Sequence, residues 1–214
     1  MRFKTIFFIA AMLTGMTFGS CTKKDNPVDT PVETGVILPL KTGNHWSYRT
    51  TTTDSTEETQ TKVVDTETET IINSITADGT TWYGMESSVG TGSMGQKPVV
   101  YYQNRNDGAW YRSYLDSAEI FYKYPAQPNT SYTALGHTMN LISTAEKVTV
   151  PAGTYTCYHY RMVIVNGPVF TNDYYLAPNV GIVKKVVRAD YSDQYGSFVQ
   201  VRQTERELQY VVLR

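Results

Sequence analysis

The side chains most able to do chemistry in this chain are its three histidines and one internal cysteine. His45, His137 and His159 are far apart, and none lies in an HExxH motif or beside a cysteine or acidic residue at metal-ligand spacing. Cys157 and His159 share one face of a strand-like segment, but a nucleophile and its base also need an orienting group, and the sequence shows none. We therefore predict no metal site, no cofactor and no catalytic residues, and we expect Cys157 to be a small buried apolar side chain.

Two further motifs match binding sites by residue type alone. The segment 90–95, Gly-Thr-Gly-Ser-Met-Gly, fits the G-x-G-x-x-G pattern, but a strand-like segment follows it where a dinucleotide site needs a helix N-terminus, which favours a loop. Asp65, Glu67 and Glu69 place three carboxylates on one strand face. A hard-cation site is conceivable there, and a solvated edge strand protected by its charge is the favoured interpretation.

Two aromatic pairs are the remaining candidates for ligand contact. Trp82-Tyr83 and Trp110-Tyr111 would offer a flat apolar platform to a sugar or a lipid if they lie exposed on a sheet. Burial in the core is the more common position of such residues. These four residues are the candidate ligand-binding residues of the sequence.

Strand-like segments separated by turn residues predict the fold that must position these groups. After Leu40 no window of ten or more residues has a convincing helical period, although 203–213 fits a helix or a strand. Short turns join consecutive segments, which makes them antiparallel. The sequence thus predicts an all-β fold with little or no helix, built as one strongly curved antiparallel sheet or an open β-barrel. The predicted strands are 46–53, 61–75, 81–89, 99–103, 109–115, 118–124, 131–135, 143–150, 154–165, 169–176, 181–189 and 197–212.

The N-terminus has the order of an export signal: basic residues, an apolar run over 6–13 and small residues before Cys21. The run is shorter than the roughly 20 residues that cross a bilayer. Residues 18–21, Phe-Gly-Ser-Cys, resemble the lipobox of bacterial prolipoproteins, with Phe18 in place of the usual Leu. The resemblance implies cleavage after residue 20 and acylation of Cys21, with chains such as palmitate anchoring the protein to a membrane. An ordinary secretion signal that ends beside a cysteine is the alternative.

The region after the anchor predicts a tether followed by one domain. Residues 21–35 are the lipidated cysteine and a segment without aromatic residues or periodicity, which we expect to be disordered. Residues 36–214 form the predicted antiparallel β-domain. Charged residues shortly after the cysteine resemble surface-export signals of outer-membrane lipoproteins, but Lys24-Asp25 is too short a match to decide between the periplasmic and the surface-exposed side.

Composition excludes some classes of partner. Residues 1–20 contain two of the 19 Lys and Arg and none of the 20 Asp and Glu, so the remainder carries a net charge of −3. Such a chain has no broad basic surface for a phosphate backbone, and we expect no nucleic-acid partner. Because Cys21 is predicted to carry lipid, Cys157 has no partner for an internal disulfide.

Three segments spread over the domain resemble signatures of secreted β-domain bacterial lipoproteins of unknown function. The resemblance implies a strongly curved sheet or open barrel similar to the LolA/LolB-like lipoprotein-carrier folds, and it implies no catalytic residues. The segments are 38–48 (Leu-Pro-Leu-Lys-Thr-Gly-Asn-His-Trp-Ser-Tyr), 148–155 (Val-Thr-Val-Pro-Ala-Gly-Thr-Tyr) and 174–184 (Tyr-Tyr-Leu-Ala-Pro-Asn-Val-Gly-Ile-Val-Lys).

These observations favour a membrane-anchored, non-enzymatic binding or carrier module of the cell envelope, with an apolar small molecule or an envelope protein as its partner. A curved sheet offers a concavity, and tyrosines present both apolar and hydrogen-bonding surface. A cell-envelope hydrolase whose site forms only on folding, and a purely structural envelope component, are the alternatives.

Overall fold

The structure is a computed structural model that describes residues 35–89, 97, 99–113, 117–165, 169–192 and 197–214. Cys21, the predicted export signal, the predicted tether up to residue 34 and the glycine-rich segment 90–95 lie outside the described residues. Twelve strands and no helix are found in the described part of the chain, so it contains no helix capable of crossing a membrane. The strands are β1 (His45–Ser55), β2 (Gln60–Ala77), β3 (Thr80–Ser87), β4 (Val99–Arg105), β5 (Gly108–Arg112), β6 (Glu119–Lys123), β7 (Ser131–Ala134), β8 (His137–Val150), β9 (Gly153–Val165), β10 (Val169–Ala177), β11 (Gly181–Ser192) and β12 (Phe198–Val212).

The twelve strands make one antiparallel sheet in the order β6-β5-β4-β3-β2-β1-β12-β11-β10-β9-β8-β7. All neighbours in this order except β1 and β12 are also neighbours in sequence. The pairing of β1 with β12 joins the two halves of the chain, from His45 opposite Val212 to Ser55 opposite Val201. The predicted all-β antiparallel fold is confirmed, and the sheet curls into a nearly closed barrel.

Side chains close the seam where the edge strands β6 and β7 meet. The hydroxyl of Tyr132 donates to the carbonyl of Phe121 at 2.9 Å and accepts from the backbone N–H of Lys123 at 3.2 Å. A carboxylate oxygen of Glu119 accepts from the N–H of Leu135 at 2.9 Å. These bonds satisfy edge groups that would otherwise be free to pair with another strand.

Two-residue turns fix several hairpins. Asp78 and Gly79 have φ values of 53° and 71°, as a primed hairpin turn requires, and the sequence predicted this turn. Leu135 and Gly136 adopt the same conformation, with φ of 52° and 74°, between β7 and β8. Leucine is not a turn-forming residue, so the sequence analysis missed this turn and began the next strand at 143 instead of His137.

The interpretation of β2 as an edge strand was wrong. This strand lies in the middle of the sheet, between β1 and β3. Glu67 stands opposite Tyr48 and Glu69 opposite Trp46 on β1, and both aromatic residues are only 1% exposed. Because paired residues share a face, Glu67 and Glu69 point towards the interior of the barrel.

The interior is filled mainly by aromatic side chains, and the chain segment before β1 covers part of it. Ile37 and Leu38 are 1% and 2% exposed and pack into the cluster that contains Tyr122, Tyr160 and Tyr174. The hairpin between β8 and β9 reaches β12, where the N–H of Ala152 donates to the carbonyl of Leu208 at 3.0 Å. The segment before β1 and the β8–β9 turn therefore add contacts to the barrel beyond those between paired strands.

Candidate functional site

A cleft of about 470 Å³ opens beside the segment that precedes β1. The chain enters the domain at one side of this cleft, the β4–β5 turn forms another, and the end of β6 and the middle of β9 complete it. Its lining residues are Gly35, Val36, Ile37, Asn104, Arg105, Asn106, Gly108, Tyr124, Pro125 and Tyr158.

Two tyrosines form the aromatic wall of the cleft. The rings of Tyr124 and Tyr158 are 5.1 Å apart between centroids and meet edge to face at 71°. Burial raises the pKa of both hydroxyl groups, and in Tyr158 the neighbouring Tyr124 adds to the effect. At neutral pH both phenols are therefore protonated and able to donate a hydrogen bond to a ligand.

A glycine shapes the floor of the cleft. Gly108 has φ of 141°, and a Cβ at this position would lie 2.0 Å from the carbonyl oxygen of Tyr122. The adjacent N–H of Tyr124 donates to the carbonyl of Asp107 at 3.0 Å and ties the end of β6 to the β4–β5 turn. The close approach of these two backbones sets the position of the Tyr124 ring, and it requires glycine.

The segment before β1 is held in place by two asparagines. The N–H of Val36 donates to the side-chain oxygen of Asn179 at 3.2 Å, and the N–H of Asn179 returns a bond to the Val36 carbonyl at 2.8 Å. The side-chain amide of Asn104 donates to the carbonyl of Leu38 at 2.7 Å. The cleft wall formed by this segment is thus fixed by hydrogen bonds to the β10–β11 turn and to β4.

The four aromatic candidates of the sequence analysis do not make one exposed platform. Trp82 stands next to Trp110 across β4, but it is 1% exposed. The guanidinium of Arg105 covers both indoles, 5.5 Å from the Trp82 centroid and 4.0 Å from that of Trp110. Tyr83 and Tyr111 lie on the opposite face and pack against the core clusters. The tryptophans therefore contribute to the cleft indirectly, by supporting the Arg105 side chain at its rim.

A charged cluster lies inside the barrel, and none of its residues lines the cleft. Arg206 on β12 has Nη2 2.6 Å from Oε1 of Glu69 and Nη1 3.6 Å from Oε2 of Glu67, and its guanidinium lies 3.8 Å from the ring centroid of Tyr48. Burial alone would lower the pKa of Arg206, but attraction to Glu69 outweighs it and raises the pKa. Lys185 on β11 stands opposite Arg206. Two of the three carboxylates that suggested a cation site, Glu67 and Glu69, are therefore paired with an arginine, whereas Asp65 is exposed. No group of three or more metal-binding side chains occurs among the described residues.

His159 lies between two carboxylates that the sequence did not place beside it. Its Nδ1 is 2.8 Å from Glu146 on β8, and its Nε2 is 2.7 Å from Asp173 on β10. Asp173 also accepts from Nε of Arg161 at 2.7 Å, and the imidazole stacks on Tyr175 at 4.3 Å. Both ring nitrogens are occupied, which leaves His159 without a free nitrogen to act as a base.

Cys157 is a free cysteine in the structure, and it is fully buried, as the sequence predicted for a small apolar side chain. Burial, with a smaller contribution from Glu146, raises the pKa of its thiol to about 12. The reactive thiolate is therefore nearly absent at neutral pH. In structure Cys157 is a small core side chain packed with residues such as Val183 and Leu208.

The sequence analysis missed the two tyrosines of the cleft and the arginine that pairs with Glu67 and Glu69. Tyr124 directly follows β6 and Tyr158 lies on β9, and Arg206 is more than 130 residues from Glu67. One local signal pointed to Arg206: it lies two residues from Leu208 on β12, so a basic side chain shares a strand face with an apolar one. Such a residue indicates a buried ion pair but not its partner.

The chain is similar in structure to two solved bacterial proteins. A protein of Bacteroides fragilis NCTC 9343, described as exported and with a YmcC-like fold, aligns with 83% of this chain and 99% of its own at 11% identity and a TM-score of 0.48. A protein of Parabacteroides distasonis ATCC 8503, described as a lipoprotein, aligns with 84% of this chain and 100% of its own at 11% identity and a TM-score of 0.43. No protein-family model matches the chain, and no curated protein sequence matches it.

Proposed function

We propose that this chain is an exported, lipid-anchored envelope protein that binds an apolar or amphiphilic ligand in the cleft and does not chemically alter it. The observation that carries the proposal is the cleft itself. Its volume of about 470 Å³ suits a small molecule. Its walls combine apolar and aromatic surface with two phenolic donors, from Tyr124 and Tyr158, and with the amides of Asn104 and Asn106.

The position of the cleft relative to the predicted anchor supports this proposal. Gly35 is the last residue of the predicted tether from Cys21 and Val36 the first residue of the predicted domain, and both line the cleft. A flexible tether over residues 22–35 has a root-mean-square length of roughly 20 Å. The mouth of the cleft would then stay close to the outer membrane, on either its periplasmic or its surface-exposed side, where amphiphiles are concentrated.

The state of the best candidate catalytic groups supports binding without catalysis. His159 has both nitrogens engaged by carboxylates, and the Cys157 thiol is buried with a raised pKa. Neither residue lines the cleft. The cleft offers hydrogen-bond donors and a guanidinium but no carboxylate, imidazole or thiol, which fits a site that holds a ligand rather than one that transfers its protons.

Native mass spectrometry of the purified chain, mixed separately with envelope phospholipids, glycans and lipopeptides, tests the proposal. We expect one of the amphiphiles to bind with one molecule per chain and to be recovered unchanged. Reproducible hydrolysis that is abolished by a single Asp or Glu substitution would show an envelope hydrolase instead. Absence of any bound species, with an envelope protein recovered in complex, would favour a protein partner and contradict the proposal.

A further inference from the structure

A second cavity, of about 290 Å³, opens to solvent on the sheet face that carries Arg206, and it shares no lining residue with the cleft. Strands β2, β3, β11 and β12 and the residues just after β3 contribute its lining, which combines charged and hydroxyl side chains with two valines. Its lining residues are Glu67, Ser87, Val89, Lys185, Val187, Thr204 and Arg206.

The charges around this cavity are unequally satisfied. Arg206 is paired with both Glu67 and Glu69. Lys185 stands opposite Arg206 in the sheet, yet no carboxylate of the described residues lies within ion-pair distance of its ammonium group. The contact it does make is with the ring of Tyr174, whose centroid is 5.1 Å from Nζ. Among the described residues, Lys185 is therefore a largely buried cation with no carboxylate in direct contact, and Glu67 and Glu69 attract it only from beyond ion-pair distance.

The neighbouring lysine shows that this arrangement is specific to one face of β11. Lys184 points to the other face and pairs with Glu205 and, at 3.8 Å, with Glu207. Burial lowers the pKa of Lys185, with a further contribution from Arg206, while Glu69 and Glu67 act in the opposite direction. A buried ammonium without a contacting anion is costly, and an anion bound directly against it would reduce this cost.

We propose that this cavity binds a small monocarboxylate, whose carboxylate pairs with Lys185 and accepts a hydrogen bond from the hydroxyl of Thr204. That hydroxyl lies 3.1 Å from the hydroxyl of Thr52, which would donate to it in the bound state. Ser87 offers a second hydroxyl, and Val89 and Val187 offer apolar surface for a short hydrocarbon tail. A single negative charge fits best because Glu67 and Glu69 repel any larger one. The volume corresponds to roughly ten water molecules and admits a short-chain acid rather than a long acyl chain.

Isothermal titration of the purified chain in nonionic detergent tests this site, with butyrate, 1-butanol and inorganic phosphate as probes. We expect butyrate to bind, and 1-butanol and phosphate to bind at least about tenfold more weakly. The alcohol has the hydrocarbon tail but no negative charge, and phosphate has negative charge but no tail. Lys185→Met should weaken butyrate binding by about tenfold or more, whereas Lys147→Met, at an exposed position on β8, should leave it unchanged. Equal binding by Lys185→Met, or stronger binding of phosphate than of butyrate, would overturn the proposal.

The stability of the ligand-free Lys185→Met variant gives a second readout. Because the substitution removes an unpaired enclosed charge, we expect its melting temperature to equal or exceed that of the parent chain. A lower melting temperature would make Lys185 a structural cation and overturn the proposal. Thr204→Val, which keeps the side-chain shape, should weaken butyrate binding without loss of folding. Ligand binding in the Tyr124–Tyr158 cleft should be unaffected by these variants, so the two sites can fail independently.

Discussion

Nη2 of Arg206 lies 2.6 Å from Oε1 of Glu69, and this ion pair is inside the barrel, with side chains only 11% and 12% exposed. The two residues belong to β12 and β2, which are separated in the sheet by β1. Arg206 thus pairs with glutamates of β2, a strand whose charged sequence predicts exposure to solvent. Arg206 and Lys185 therefore differ in their contacts: Arg206 forms ion pairs with two glutamates, whereas Lys185 forms no ion pair with any of the described residues.

Removal of the Glu69 charge should strongly destabilise the fold. Glu69→Gln leaves Arg206 buried with only the more distant Glu67, and we expect the free energy of unfolding to fall by about 3 kcal/mol. Glu86→Gln is the matched control, because Glu86 pairs with the exposed Lys97 and its loss should cost less than about 1 kcal/mol. Chemical denaturation of both variants measures the difference, and similar costs would contradict the buried position of the Glu69 pair.

Cys157 should be unreactive in the native chain. With the pKa of its thiol raised to about 12 and its side chain fully buried, a disulfide reagent such as DTNB should fail to label it at pH 8 within minutes. Addition of guanidinium chloride should expose it and give rapid labelling. Fast labelling of the folded protein would show that the hairpin of β8 and β9 opens or packs differently.

The His159 cluster should contribute to the acid sensitivity of the protein. Burial alone would raise the pKa of Asp173, but hydrogen bonds from His159 and Arg161 outweigh it and hold the pKa below its ordinary value. A carboxyl group with a lowered folded pKa stabilises the fold above its unfolded pKa of about 3.9, and this contribution is lost as the pH falls through the folded pKa.

Asp173→Asn should therefore remove part of the fall in stability below about pH 4. Urea denaturation between neutral and acidic pH measures the effect. Asp65→Asn serves as the control, because Asp65 on β2 is exposed and forms no salt bridge with any of the described residues. If the two variants show the same pH dependence, Asp173 is not held in the arrangement described.

The barrel seam should depend on one hydroxyl group. Tyr132→Phe keeps the ring but removes both hydrogen bonds to the backbone of β6 at Phe121 and Lys123. We expect a loss of about 1–3 kcal/mol and faster hydrogen exchange in β6 and β7. Tyr210→Phe, at a half-exposed residue of β12, is the control. Unchanged exchange at the seam would mean that packing alone closes the barrel.

The strand content of the fold was predictable because it depends on local patterns. Alternation and turn residues such as Asp78-Gly79 located twelve strands, including the segment 203–213 that also fitted a helix. The faces of the strands were less predictable, since register shifts between Ser47 and Tyr48 and between Tyr175 and Leu176 change which side chains point inwards. Glu67 looked solvated because the cation that neutralises it comes from the last strand.

The candidate cleft was not predictable for the same reason. Tyr124 and Tyr158 are ordinary aromatic residues in their own segments, and they form a wall only because the β4–β5 turn and the segment before β1 are held against them. By contrast, Trp82 and Trp110 stood out in the sequence, but Arg105 covers them. Residue type identified aromatic surface, while tertiary hydrogen bonds decided which of it lines a cavity.

The most direct test of the proposed ligand-binding cleft is a fluorescence titration of the purified chain with the uncharged probe N-phenyl-1-naphthylamine, comparing Val36→Trp with Val63→Trp. Val36 lines the cleft and is 39% exposed, so a tryptophan there should fill the cleft without disturbing the core; Val63, 63% exposed on β2, lies outside it. We predict that the parent chain and Val63→Trp bind the probe alike, and that Val36→Trp binds it at least about tenfold more weakly, the equivalent of roughly 1.4 kcal/mol. Equal binding by all three proteins, or no binding by the parent chain, would contradict a ligand-binding role for the cleft.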